Sequence, residues 1–120
     1  MKHLAIILIM LATTTAVHAQ QAGPNGGMVE GKPGHEIELV VSPSELTVYV
    51  EHDEKAHGAQ GASLRAIVQA GGKTTTVPLE SIDHSKHVGK LRAPLPKGAI
   101  VVVTGKDEHG DVVSARYTIK

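Results

Sequence analysis

The stretch His35-Glu-Ile-Glu-Leu-Val-Val-Ser-Pro-Ser-Glu-Leu-Thr-Val-Tyr-Val-Glu51 decides the fold. Apolar side chains recur at every second position, first as Ile37, Leu39 and Val41, then as Leu46, Val48 and Val50. A period of two puts each set on one face of a strand, with Glu36, Glu38, Glu45 and Thr47 on the other. Between them Ser42-Pro43-Ser44 is turn chemistry, so the stretch reads as two strands joined by a tight connection.

The same period continues outward. Residues 62–70 alternate Leu64, Ala66 and Val68, and residues 73–80 are Thr-rich with Val77 and Leu79. Further β-rich runs follow at 87–93, 99–105 and 112–119, the last with Val113, Ala115, Tyr117 and Ile119 on one face. No run carries a helical stripe. Gly71-Gly72, Pro94 to Gly98 and Glu108 to Asp111 punctuate them, and Pro78 assigns its run to an edge strand because proline cannot donate to a ladder. Short strands at this spacing predict a seven-stranded antiparallel β-sandwich of immunoglobulin-like type over residues 35–120, with a small open barrel as the alternative. Residues 20–34, rich in Gly and Pro, read as an extended arm leading into the first strand.

Residues 1–19 stand apart. Lys2 precedes the apolar run Leu4 to Ala12, and Val17-His18-Ala19 fits the small-x-small pattern of a signal-peptidase site. The apolar run is shorter than the ~20 residues a bilayer-spanning helix needs. We expect a signal peptide cleaved after Ala19, a periplasmic or secreted product and no stable membrane anchor. About 100 residues then remain, enough for a single core.

Composition narrows the function. Twelve Lys and Arg balance 12 Asp and Glu, with no block of like charge, which argues against nucleic acid as a partner. Cysteine is absent, so in an oxidising compartment the core holds the fold without a disulfide, and thiolate chemistry is excluded. Two Tyr and no Phe or Trp leave nothing for base stacking or an aromatic sugar platform. No Gly-x-Ser-x-Gly elbow is present, and no serine has an evident activating neighbour, so an enzyme is not expected.

Antiparallel succession gives the loops a geometry. Consecutive connections alternate between the two ends of a sandwich, so those at 42–44, 71–72 and 94–98 share one pole. The connections at 52–61, 80–86 and 107–110 share the other, along with the start of the first strand. His35, His52, His57, His84, His87 and His109 all fall at this second pole, beside Glu36, Asp53, Glu54, Asp83, Asp107, Glu108 and Asp111. Imidazole and carboxylate without thiolate are the donors preferred by divalent Zn, Cu, Ni or Co. Those six histidines are the candidate metal ligands, with His52 plus His84 or His87, supported by His35, the first choice. A solvated hairpin tip such as His52-Asp53-Glu54-Lys55 has the same composition, so each candidate also has a plain reading as a turn residue. His35 shares the face of Ile37 and has a second reading as a cap on the core edge.

The segments Gly23 to Val41 (Gly-Pro-Asn-Gly-Gly-Met-Val-Glu-Gly-Lys-Pro-Gly-His-Glu-Ile-Glu-Leu-Val-Val), Leu46 to Ala56, Gly61 to Leu79 and Gly89 to Ile119 together resemble the small β-domain that accompanies periplasmic adaptor subunits of heavy-metal efflux systems of the cobalt-zinc-cadmium and copper-silver type. Such a domain also occurs as a stand-alone secreted protein. The resemblance implies a metal-handling accessory that meets an efflux adaptor or pump component. Matching positions are Gly26-Gly27, His35-Glu36 and His52-Asp53. Asn25 stands where the family often has histidine. No coiled-coil hairpin accompanies the domain, so bridging pump and outer-membrane channel is not expected of it. The competing expectation is a protein–protein interaction module without metal, working through its edge strands.

Overall fold

The computed structural model describes residues 21–32, 35–50, 63–82, 86–107 and 110–120. They form ten strands: β1 (Gln21–Ala22), β2 (Met28–Lys32), β3 (His35–Val41), β4 (Glu45–Val50), β5 (Ser63–Ala70), β6 (Lys73–Pro78), β7 (Glu80–Ser81), β8 (Lys86–Lys90), β9 (Ile100–Lys106) and β10 (Val112–Thr118). All pairings are antiparallel. One sheet runs β1-β2-β3-β4-β8-β7 and the other β10-β9-β5-β6, so the sheets are open and the molecule is a β-sandwich, not a barrel.

All seven expected strands are present, and three short ones join them. β1 and β2 come from the arm: Met28 to Lys32 pair with Leu39 to His35 and extend the first sheet beyond β3. The expected run at 73–80 breaks after Pro78, where the chain leaves β6 and crosses to the other sheet as β7. The break falls at the proline, whose ring fixes its own φ and restricts the residue before it. The expected strand at 87–93 ends at Lys90 because Leu91 to Ala99 carry the chain back between the sheets.

Period-two burial builds the core. Ile37, Leu39, Leu46, Val48 and Val50 from one sheet face Leu64, Ala66, Val68, Val77, Val101, Val103, Val113, Ala115 and Tyr117 from the other. With hardly any aromatic volume available, close approach replaces bulk. Gly89 faces inward on β8, where an added Cβ would meet Val77 Cγ1 at 2.7 Å and Leu79 Cδ2 at 2.8 Å. The Val77 and Leu79 side chains fill the space that a Cβ at this position would take. Tyr117 is fully buried and its hydroxyl donates to the Ile37 carbonyl at 2.6 Å, a polar tie from β10 to β3 across the two sheets.

Candidate functional site

The two poles of the sandwich differ in chemistry. At one, Leu91 N donates to Ser44 O at 2.8 Å, and residues 69–74 and 96–99 border a common hollow, so the connections at 42–44, 71–72 and 91–99 lie together. Those connections contain no histidine and no carboxylate. At the other, a cleft of about 200 Å³ is bordered by Lys32 and His35 at the β2–β3 junction, Val50 at the end of β4, and Asp107 and Asp111 of the β9–β10 turn. The loop alternation inferred from the sequence thus holds for the described connections.

Each group in the cleft has a local reason for its place. His35 opens β3 opposite Lys32 and is exposed, although its parity is that of the buried Ile37 and Leu39. Position at the strand end, and not facing, puts it in solvent. Asp107 is 3% exposed and shapes the turn: its Oδ1 accepts from Asp111 N at 2.9 Å, its carbonyl accepts from Gly110 N at 3.0 Å, and its own N–H donates to Asp111 O at 2.9 Å. The backbone around Asp107 is therefore closed on itself, with Asp111 held beside it. Gly110, at φ 77°, permits the left-handed residue that this turn requires.

His87 is placed otherwise. It is the second residue of β8, opposite Val48 on β4 and Ser81 on β7, and it faces inward with no exposed surface. It does not border the cleft that His35 borders. Among the described residues neither Nδ1 nor Nε2 has a hydrogen-bond partner, and burial pushes the imidazole pKa below its usual value. A buried polar group without partners costs about 1–3 kcal/mol, so this side chain is a liability to the fold unless something else engages it. His52, His57, His84 and His109 lie outside the described residues. Among the described residues, no three His, Asp or Glu side chains stand close enough together to hold an ion. His35, Asp107 and Asp111 share a cleft without forming a complete coordination shell.

A further carboxylate does structural work that the sequence did not reveal. Glu38 is on the outer face of β3, yet it is 4% exposed, because the turn between β1 and β2 folds over it. Its oxygens accept from Asn25 N at 3.0 and 3.2 Å, from Asn25 Nδ2 at 2.9 Å and from Gly27 N at 2.8 Å. Charge-assisted bonds of this kind are the strong ones. The position that departs from the resembled family, Asn25, is thus a donor to Glu38. A Cβ on Gly23 would run into the Glu38 carboxyl, and one on Gly27 into the Leu39 carbonyl. The only sequence signal was the pair Gly26-Gly27, which marks a close backbone approach without naming what is approached.

Comparison with known proteins finds no matching family model, no matching curated protein and no matching solved structure.

Proposed function

We propose that the protein is a periplasmic accessory that binds a divalent transition metal ion at its histidine pole and buffers or delivers the ion for a heavy-metal efflux system. One observation carries the reading: His35, Asp107 and Asp111 border one cleft, while the opposite pole has cations and no imidazole or carboxylate in its connections. The cleft supplies one imidazole and two carboxylates, the donor chemistry of Zn or Cu(II) in a cysteine-free chain. The other candidate donors, His52, His57, His84 and His109, lie outside the described residues. No catalytic step is part of the proposal, and the ion is cargo.

The test is a titration of Zn(II) into the protein recovered from expression of the full chain, following histidine ring resonances by NMR. Selective shifts that include His35, and that weaken in His35→Ala and vanish when His52 and His84 are also changed to Ala, are the expected result. Imidazole ligates only when neutral, so affinity is expected to fall steeply from about pH 7 to about pH 5. Uniform weak shifts in all variants would mean that the histidines are a solvated surface.

A further inference from the structure

We infer that the sandwich has a second binding surface at the pole opposite the histidines: a groove along the edge of β6 that takes an extended polypeptide segment presenting apolar and acidic residues together on one face. The groove encloses about 580 Å³ between β6 and the connection Leu91 to Pro96. Its floor is the buried pair Val68 and Val77, and Leu91 and Leu95, both half-buried, form its side. The only charged side chains lining it are Lys90 and Arg92, both exposed. An adjoining hollow, sharing Ala70 and Pro96, adds Lys73 and Lys97 and again no carboxylate. The acids nearby are Glu45, opposite Lys90 on the outer face, and Glu80, which borders a second adjoining hollow with Pro78 and Lys90; neither lines the groove itself.

The backbone supplies the second half of the site. Gly71 and Gly72 both have positive φ, 57° and 76°, so β5 and β6 are joined by a two-residue hairpin turn that makes Ala70 and Lys73 the hydrogen-bonded closing pair. Parity then directs the N–H and C=O of Lys73, Thr75 and Val77 toward β5, and Leu79 N, of the same parity, does donate to Leu64 O at 3.3 Å. Thr74, Thr76 and Pro78 point their backbone groups away from β5. Pro78 lacks an N–H where the ladder does not use one, which is why proline is tolerated in this strand. β6 is the last strand of its sheet, so Thr74 and Thr76 offer N–H and C=O groups to an added strand.

A peptide paired to this edge alternates its side chains. The set on the inner face enters the groove, where its members meet both the Val68 and Val77 floor and the cations Lys90 and Arg92, and the other set points to solvent on the outer face. Pro94 and Pro96 stiffen the far wall, which reduces the ordering cost of binding. The surface is independent of the metal reading, since no histidine takes part.

The probe is a fluorescent peptide Val-Thr-Glu-Thr-Val-Thr, as long as the six residues of β6 and with Val and Glu together on one face, measured by anisotropy with the protein recovered from expression of the full chain. Binding is expected, weakening with added salt and falling about tenfold or more in the double variant Lys90→Glu and Arg92→Glu, as for paired charges at an interface. Both side chains are exposed, and circular dichroism checks that the variant keeps its β spectrum. His35→Ala is expected to bind the probe like the parent. Amides of Thr74 and Thr76 should gain protection from hydrogen exchange in the complex. The proposal is overturned by no binding, by equal binding of a Val and Lys peptide, or by equal binding of a probe N-methylated at alternate residues. It is overturned as well if anionic phosphatidylglycerol vesicles bind and the peptide does not.

Discussion

His87 and Tyr117 are both polar groups with no exposed surface, and they have opposite fates. The Tyr117 hydroxyl has a 2.6 Å acceptor in the Ile37 carbonyl; both His87 nitrogens have none among the described residues. The imidazole pKa is lowered by burial, so the folded protein holds His87 neutral while the unfolded chain protonates near pH 6.5. Below about pH 6.5 the unfolded state binds more protons, and stability is lost as the pH falls toward the depressed folded value. Replacing His87 with Leu is expected to raise stability by about 1–3 kcal/mol at pH 6 and to flatten its acid slope, read by urea unfolding at several pH values. A destabilised His87→Leu would mean that the ring makes a contact worth more than its two orphaned nitrogens cost. Tyr117 has its pKa raised, first by burial and then by the charges of Glu30 and Glu38, so its contribution is present below about pH 10 and disappears above it. Tyr117→Phe is expected to cost about 1–2 kcal/mol at neutral pH and to remove the alkaline slope. An unchanged slope would show that other groups set it.

Among the elements, the strand pattern was legible and the arm was not. Alternation at 35–41, 45–50, 63–70 and 112–118 is strong because one face of each strand is buried, and the inward sets named from sequence are the core. Val29 and Glu38 lie in one cross-strand row of the outer face, and nothing in the alternation distinguishes a covered outer face from a solvated one. The arm therefore read as an extended lead-in, whereas residues 21–32 are two strands tied down by Glu38. Histidine placement was half legible for a related reason. Topology assigns residues to a pole, but position along the strand separates exposed His35, the first residue of β3, from buried His87, the second residue of β8. Two substitutions probe the arm. Glu38→Ala strips the acceptor from Asn25 and Gly27, and hydrogen exchange over residues 21–32 should accelerate while β5 and β9 stay protected. Gly27→Ala should have the same effect with every bond donor intact, because its Cβ meets the Leu39 carbonyl. Unaltered exchange in both variants would mean that the arm is held by the β2–β3 ladder alone.

At the scale of the whole molecule, the sandwich separates two kinds of surface that a neutral net charge conceals. Twelve cations and 12 carboxylates cancel in the sum, yet the connections at one pole have Arg92 and Lys97 without acids, and the cleft at the other has His35, Asp107 and Asp111. Strand reversal gives the connections their two poles, β7 alone continuing the direction of the strand before it as the chain crosses between the sheets, and the sequence then stocks each pole differently. A metal ion placed by that architecture belongs at one end only. Cu(II) added in substoichiometric amounts broadens the NMR signals of nearby amides, and so reports its position against the entire fold. Broadening centred on Lys32, Val50, Gly110 and Asp111, with Gly71, Gly72, Lys97 and Gly98 left sharp, is the expected result; broadening centred on the opposite pole, spread evenly over the molecule or absent would contradict a metal site at the histidine pole.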